Sequence, residues 1–185
     1  MSNQLTTRST TILLVRRQGH VCLAGDGQVT MNDTVVKSSA RKVLRTQSDE
    51  ALVGFAGGAA DGLALFARFE NKLQEYQGNL ERAAVELAKD WRTDRALRQL
   101  QAQMIVTDAT KSFLVSGNGD LMAPDEDGLL TIGSGSNVAL GAARALIKHT
   151  DLSAREIAIE AMSIAASVCV YTNDQLTVEE LSDDN

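Results

Sequence analysis

Histidine is scarce in this sequence, which contains only His20 and His149. A serine or cysteine triad uses a histidine as its general base, so the scarcity removes that base unless one of the two is placed correctly. Isolated histidines lie more often at the surface or in the core than in a catalytic site. A hydrolase built on such a triad is therefore a poor explanation of this chain.

Cysteines and long apolar runs are also few or absent. Cys22 and Cys169 lie far apart without CxxC spacing, which disfavours a disulfide framework or a zinc site. No apolar run approaches the roughly 20 residues that span a bilayer, and residues 1–9 are polar, unlike a signal peptide. The net charge of −6 provides no general attraction for nucleic acid or anionic membranes. We therefore expect a cytoplasmic protein with no nucleic-acid or membrane partner.

The remaining composition is that of one ordinary globular domain. The chain has 185 residues, of which 44% are hydrophobic and 23% are charged, enough to bury a substantial core. Pro124 is the only proline, and no proline- or serine-rich linker divides the chain. Internal repeats are not detectable. These observations predict a single domain.

The order of the apolar patterns predicts an α+β fold. Runs of apolar and β-branched residues predict strands at 11–16, 20–24, 34–36, 42–44, 51–56, 103–107, 112–116, 129–132 and 176–178. Amphipathic periodicity and capping residues predict helices at 59–76, from Asn79 to 97, from the 133–135 loop to 148, and from Ser153 to 170. Because strands and helix pairs are segregated along the chain, two helix pairs are expected to cover two stacked sheets as a four-layer αββα sandwich.

The loop Gly133-Ser134-Gly135 lies between a predicted strand and a predicted helix, as a dinucleotide-binding loop does. The third glycine of G-x-G-x-x-G is replaced by Val138, and the chain lacks a Gly-Lys-Ser/Thr phosphate loop. The chain is therefore not expected to bind a dinucleotide or ATP. A tight strand-to-helix turn is the simplest interpretation, although Ser134 would present its hydroxyl at a helix N-terminus.

Three other positions have both a structural and a functional interpretation. Asp26 lies between two glycines, which suits a plain turn or a carboxylate that orients a partner at close range. Gly57 precedes a second glycine at a strand end, where the backbone forms a simple connection or presents N–H groups to an oxyanion. Lys42 belongs either to a solvated basic strand or to a functional site. Each of these signals is weak alone.

Taken together, the motifs of this sequence match those of one protein family, although each motif alone is too weak to identify it. In chain order they are Thr10–Ile12, Gly25–Thr30, Ala40–Val43, Gly54–Gly58, Ala83–Asp94, Ile132–Gly135, Ser153–Ala158 and Cys169–Asn173. Their sequence and order, from about residue 10 to 181, closely resemble the HslV family of proteasome-like peptidases. The resemblance implies the N-terminal nucleophile hydrolase type of sandwich, with residues 10–185 as its single domain and residues 1–9 as a propeptide.

The same resemblance implies a mechanism. In this family the N-terminal threonine of the mature chain is the nucleophile, which corresponds to Thr10. Its freed α-amino group, with a pKa of about 7.7–8.0, would be the general base and would account for the shortage of histidine. By the same correspondence, Lys42 would lie beside the threonine, held and kept charged by Asp26. The backbone N–H of Gly57 would form the oxyanion hole, and Ser134 would complete the hydrogen bonds at the amine.

An assembly and a cation site are implied as well. The family forms two stacked hexameric rings with the active sites inside, and an ATP-driven AAA+ unfoldase of the HslU type supplies unfolded protein substrates. The chemistry then requires no cofactor. Some members bind a monovalent cation, sodium, through backbone carbonyls that match Ala166, Cys169 and Thr172. Ala166 stands where the family usually has glycine. This replacement keeps the carbonyl ligand if the backbone angles suit alanine.

Two other functions stay open at this level. One is a different N-terminal nucleophile amidohydrolase that cleaves a small amide, and the other is a ring-forming subunit that is structural or regulatory and inactive. The presence of Thr10, Asp26 and Lys42 together disfavours the inactive subunit. Only Thr10 is in register with the downstream motifs, although four other hydroxyl residues are alternative N-termini: Ser2, Thr6, Thr7 and Ser9.

Overall fold

The computed structural model describes residues 7–8, 10–100 and 102–182. The strands are β1 (Thr7–Arg8), β2 (Thr11–Arg17), β3 (His20–Asp26), β4 (Val29–Met31), β5 (Thr34–Lys37), β6 (Val43–Arg45), β7 (Leu52–Gly57), β8 (Ala102–Thr107), β9 (Ser112–Ser116), β10 (Leu121–Met122), β11 (Leu129–Gly133) and β12 (Leu176–Ser182). The helices are α1 (Ala59–Glu75), α2 (Leu80–Thr93), α3 (Ser136–His149) and α4 (Ala154–Val168), with a short 3-10 helix at Leu97–Gln99. In this part of the chain no helix has both the length and the apolar character needed to cross a membrane.

Two antiparallel sheets form the centre of the fold. One has five strands in the order β10-β9-β8-β7-β6, and the other has four in the order β11-β2-β3-β12. A small third sheet has the order β1-β4-β5. The β2–β3 hairpin turns through Gln18 and Gly19, which both have positive φ, as in a type I′ turn. This turn type matches the right-handed twist of the strands that it connects.

Strand β2 illustrates how each central sheet is buried on both faces. Ile12 and Leu14 belong to the core between the two sheets, whereas Leu13 and Val15 belong to the core beneath α3 and α4. All four side chains are fully buried, which explains why the strand is an unbroken apolar run without alternating polar residues. The core between the sheets also contains Leu23, Val43, Leu52, Ile105 and Ile132.

Each central sheet carries a pair of helices on its outer face. Helices α1 and α2 pack on the five-stranded sheet, where Phe69 and Trp91 are completely buried. Helices α3 and α4 pack on the four-stranded sheet, mainly through alanines and Met162. The order of layers is therefore helix, sheet, sheet, helix. The predicted four-layer αββα sandwich is confirmed.

The helix starts agree with the predicted caps, whereas two helix ends differ. Asn79 caps α2 through its side chain, and Ser153 opens α4 with a capping box. Helix α2 ends at Thr93 instead of 97, because Asp94 has an extended backbone and its carboxylate accepts N–H groups of the next turn. Helix α4 ends at Val168 instead of 170. Apolar periodicity therefore continues past the point where the backbone leaves the helix.

Strand β12 is longer than the sequence predicts. It continues to Ser182 because its whole length pairs with β3. Its acidic residues Glu179 and Glu180 form ion pairs with Arg45 and Arg155, which allow charged residues in the strand. Strands β1, β4 and β10 are not predicted, since runs of two or three residues show little period, although β6 of the same length is predicted at 42–44.

Candidate active site

Several strand ends meet at one end of the sandwich. The antiparallel register of β2 with β3 places Asp26, the last residue of β3, beside Thr11 at the start of β2. Thr11 also pairs with Gly133, the last residue of β11. Lys42 immediately precedes β6, and Gly57 is the last residue of β7. Residues at or next to the ends of five strands therefore converge because their strands pair in these registers.

The Asp26 carboxylate is completely buried and is surrounded by donors. Its Oδ1 accepts the Thr11 N–H at 2.7 Å and the Lys42 ammonium at 3.1 Å. Its Oδ2 accepts the N–H groups of Gln28 at 3.0 Å and Asn173 at 3.4 Å. Hydrogen bonds from backbone N–H groups and an ammonium replace the water that a charged carboxylate would otherwise require.

Lys42 is buried as well, with 5% of its side chain exposed. Its ammonium donates to the Asp26 carboxylate and to the backbone carbonyl of Gln28. Burial lowers the pKa of Lys42 below its ordinary value, while the charge and the hydrogen bond of Asp26 oppose that shift. Lys42 is therefore a fixed positive group whose proton is held less tightly than that of an exposed lysine.

Glycines on both sides of Asp26 permit this close packing. A Cβ at Gly25 would lie 2.6 Å from the side chain of Ile12, and one at Gly27 would lie 2.4 Å from the carbonyl oxygen of Ser38. Neither position has room for a larger residue. The glycines allow β3 and the following loop to approach their neighbours closely enough for the aspartate to reach the lysine.

Thr10 lies directly before β2, and only 1% of it is exposed. Its carbonyl oxygen accepts the backbone N–H of Ser134 at 2.8 Å. Its φ angle is +105°, a value that a β-branched residue adopts only under strain. The surrounding structure therefore holds Thr10 in one defined and unfavourable backbone conformation.

One cavity brings the main predicted residues together. Thr10, Lys42 and Gly57 all line it. Gly57 has a φ angle of +127°, which favours glycine, and it has no side chain to shield its backbone groups. The rest of the lining is mainly apolar and consists of Val29, Ala40, Arg41, Phe55, Ala59 and Leu63.

Comparisons with known proteins agree with this geometry. A model of the proteasome subunit family matches residues 6–181. An ATP-dependent protease subunit HslV from Syntrophobacter fumaroxidans is 58% identical over 172 residues, which cover 93% of this chain and 96% of that relative. The crystal structure of a eukaryotic HslV from Trypanosoma brucei has a TM-score of 0.89 at 47% identity, covering 93% of this chain and 99% of that one. The chain belongs to the proteasome family, in its HslV branch.

Proteins of the HslV branch are N-terminal threonine peptidases, and this chain is accordingly a threonine-type peptidase of the N-terminal nucleophile hydrolase fold. A more distant structure shares only the fold. It is Thiobacillus denitrificans BPH in complex with epoxomicin, with a TM-score of 0.71 at 19% identity, covering 95% of this chain and 100% of that one. The sandwich is thus shared with a protein of low sequence identity, whereas the HslV branch is identified by sequence similarity.

Ser134 is held next to Thr10 through its backbone. Its N–H donates to the Thr10 carbonyl, while its side chain is exposed. Helix α3 begins at Ser136, so Ser134 lies just before a helix N-terminus, as the sequence predicts. The backbone of Ser134 therefore lies at the Thr10 carbonyl, and the HslV resemblance expects the Ser134 hydroxyl to bind the Thr10 amine.

The predicted sodium ligands lie at the end of α4 and in the turn that follows. Ala166 is inside the helix, where alanine has ordinary backbone angles, so the replacement of glycine imposes no strain. The Cys169 carbonyl accepts the Thr172 N–H at 3.0 Å and retains a second lone pair. Carbonyl oxygens at the negative end of a helix suit a monovalent cation. Ala166 and Cys169 are therefore compatible with the site that the resemblance implies.

Two residues of the site were not singled out in the sequence. The Thr11 hydroxyl accepts the Gly135 N–H at 2.9 Å and lies 2.7 Å from the Thr172 hydroxyl, so it connects β2, the α3 N-terminus and the turn after α4. Asn173 makes hydrogen bonds to the loops on both sides of the Asp26–Lys42 pair. Both residues belong to quoted motifs, but 161 positions separate Thr11 from Thr172, and no local pattern connects them.

Replacement of Gly133 by alanine is expected to displace Thr10 and to impair peptidase activity. The new Cβ would lie 2.0 Å from the Thr10 carbonyl oxygen, and Gly133 has a φ angle of +95°. A misplacement of about 1 Å can reduce turnover by about 100-fold. Turnover of a fluorogenic peptide and the melting temperature of the variant test this expectation.

Gly141→Ala is the matched control, because a Cβ at this position in α3 would meet nothing within 4 Å. It should retain activity and gain about 0.5–1 kcal/mol of stability from the higher helix propensity of alanine. Wild-type turnover in Gly133→Ala would show that the contact between Gly133 and Thr10 does not position the threonine.

Proposed function

We propose that Thr10, exposed by removal of residues 1–9, is the nucleophile of this peptidase and that Lys42, Asp26, Gly57 and Ser134 support it. The observation that carries the proposal is the buried Asp26–Lys42 pair beside the cavity that Thr10 and Gly57 also line. A buried ion pair beside a cavity makes these residues candidates for a functional site, since burying two charges costs free energy that an apolar pair would not cost.

The chemistry begins at the α-amino group of the freed Thr10. This amine accepts the proton of the threonine hydroxyl while the oxygen attacks the carbonyl carbon of the substrate. The Gly57 N–H donates to the oxyanion that forms, a contact that is typically worth about 10² to 10³ in rate. The protonated amine then gives its proton to the leaving nitrogen, and the peptide bond breaks. The product is an ester on Thr10, which water hydrolyses with the same amine as base.

Lys42 changes the protonation of the amine and the hydroxyl of Thr10. A positive group next to the amine disfavours its protonation and favours loss of the hydroxyl proton. Asp26 keeps Lys42 charged and fixes its position through the 3.1 Å ion pair. Ser134, directly after the end of β11, approaches Thr10 from another strand, since its backbone N–H already binds the Thr10 carbonyl. Its hydroxyl would then hold the freed amine.

The leader keeps the chain inactive until it is removed. While Ser9 is attached, the nitrogen of Thr10 is an amide and cannot accept a proton. Residues 1–6 and 9 lie outside the described residues, but Thr7–Arg8 pairs with Thr30–Met31, next to cavity residue Val29. These two residues of the leader thus pair with the edge of β4 beside the cavity. The positive φ of Thr10 costs about 1–3 kcal/mol, which cleavage would release because an N-terminal residue has no φ constraint.

The chain would operate as one subunit of a larger ATP-dependent protease in the cytoplasm. The Syntrophobacter fumaroxidans relative is named as the subunit of such a protease, and this chain lacks an ATP-binding motif of its own. An HslU-type AAA+ unfoldase would supply unfolded protein substrates to two stacked hexameric rings of this chain. Confinement of the cavity inside the rings would protect folded proteins from cleavage.

Sodium is the cation that we assign to the carbonyls of Ala166, Cys169 and Thr172. Its charge would hold the turn after α4 in place without taking part in bond cleavage. This turn contacts the site at two points. The Thr172 hydroxyl lies within hydrogen-bond distance of the Thr11 hydroxyl, and the Val170 carbonyl accepts the Gln28 side-chain N–H at 2.8 Å. Peptide-bond hydrolysis itself requires no cofactor in this scheme.

The intact mass and the N-terminal sequence of the purified protein test the proposal directly. We expect a chain that begins Thr10-Thr11-Ile12, and peptidase activity that rises when the unfoldase and ATP are added. Retention of residues 1–9 in an active preparation would exclude Thr10 as the N-terminal nucleophile. Retention with no activity in any preparation would favour the structural-subunit alternative.

A further inference from the structure

The side-chain amide of Asn173 forms hydrogen bonds with two loops of the site through both its oxygen and its nitrogen. Its Oδ1 accepts the Gly27 N–H at 3.1 Å and the Gln175 N–H at 3.3 Å. Its Nδ2 donates to the Ser38 carbonyl at 2.9 Å, and its own N–H donates to Asp26 Oδ2 at 3.4 Å. A planar amide with one acceptor and one donor end satisfies both loops at once.

The two loops are those that carry the buried ion pair. Gly27 directly follows Asp26, and Ser38 lies on the segment that leads to Lys42. The same two segments have one backbone hydrogen bond of their own, from the Ala40 N–H to the Gly27 carbonyl at 2.9 Å. Besides this bond and the contacts of Lys42 with Asp26 and Gln28, the side chain of Asn173 adds a further connection, on the side of the turn after α4. It therefore fixes how the aspartate loop lies against the lysine segment.

We propose that Asn173 is a positioning residue that sets the placement of the Asp26–Lys42 pair and thereby tunes the α-amino group of Thr10. The proposal rests on the function above, in which Thr10 is the nucleophile and Lys42 acts on its amine. Asn173 is not among the residues that line the cavity, so it acts through the ion pair and not on the substrate.

The expected consequence is a change in the pH profile. Without the Asn173 amide the lysine segment is free to move away from Thr10, and the amine loses a neighbouring positive charge that opposes its protonation. Its pKa then rises, and the acid limb of the kcat/KM profile moves to higher pH. Substitution of Asn173 by alanine removes no charged group from the surrounding segments, which carry Asp26, Lys42, Arg41, Asp61 and Asp174.

The test uses the full chain, expressed and assembled, with a fluorogenic peptide that ends in an apolar residue. In Asn173→Ala we expect kcat to fall by about 10- to 100-fold. We expect KM to stay close to that of the wild type and the acid limb to move to higher pH. Asn173→Asp keeps the acceptor for Gly27 but loses the donor for Ser38 and adds a negative charge. It should move the acid limb further in the same direction.

Asn118→Ala is the matched control, because it makes the same change in an exposed turn away from the cavity. It should match the wild type in kcat, KM and pH profile. If Asn173→Ala does not assemble, Asn173→Asp decides, since it preserves the shape of the side chain. An unmoved acid limb in the assembled Asn173 variants would overturn the proposal, even if kcat fell, because a purely structural role lowers activity without changing that pKa.

The activity of Thr10→Ala separates failure of this inference from failure of the proposed function. An inactive Thr10→Ala together with wild-type kinetics in both Asn173 variants would overturn the positioning role alone. An active Thr10→Ala would overturn the nucleophile assignment and the positioning role with it.

Discussion

Thr10→Ala should assemble like the wild type and lose peptidase activity by at least about 1000-fold, because removal of a nucleophile abolishes the covalent pathway. Alanine keeps the backbone, so the hydrogen bond from Ser134 to the residue 10 carbonyl is preserved. The change removes one hydroxyl and one methyl group. Turnover of a fluorogenic peptide, together with the size of the assembled particle, measures the two expectations separately.

Thr10→Ser is the matched control, since it keeps the hydroxyl and loses only the methyl group. It should retain measurable activity, which would attribute the loss in the alanine variant to the oxygen. The mass of the Thr10→Ala chain also reports on the leader. A retained leader would indicate that the Thr10 hydroxyl cleaves its own preceding bond, whereas a normal loss would indicate another protease. Full peptidase activity in Thr10→Ala would exclude Thr10 as the nucleophile.

The layers of the fold are predictable because each follows from a local period. The unbroken apolar run of β2 indicates burial on both faces, and the three- and four-residue spacing of apolar residues in α1 indicates a helix with one buried face. Long-range pairing is not local, so the extension of β12 to Ser182 along β3 was not predicted. The early end of α2 depends on one carboxylate at Asp94, a detail that periodicity does not contain.

The site is predictable in a different way, through resemblance and not through spacing. Asp26 and Lys42 are 16 positions apart, and their 3.1 Å contact depends on strand registers that neither short motif reveals. The glycines beside Asp26 are the one local signal, because they allow an approach that any side chain would block. The role of Asn173 is not predictable locally because its partners in the two loops lie 135 to 147 positions away. Only the folded chain brings its amide between the two loops.

Lys42→Ala should reduce kcat/KM by about 100-fold or more, because the amine and hydroxyl of Thr10 lose the positive group that adjusts their protonation. The variant also leaves the Asp26 carboxylate buried without its counter-ion. Breaking a buried pair in this way costs about 3–5 kcal/mol. A lower melting temperature is therefore expected together with the loss of activity. Lys148→Ala, at an exposed position in α3, controls for the removal of a lysine as such.

A double variant separates the catalytic effect of Lys42 from its effect on stability. Asp26→Asn combined with Lys42→Met removes both charges and keeps nearly the same volume, so part of the stability lost in Lys42→Ala should return. The recovery is partial because the asparagine NH2 group cannot accept the backbone N–H groups that Asp26 Oδ2 accepts. Activity should stay as low as in Lys42→Ala, because no positive group faces Thr10. Recovery of stability and activity together in the double variant would show that the ion pair serves only the fold. Recovery of stability alone would assign the lysine to the chemistry at Thr10.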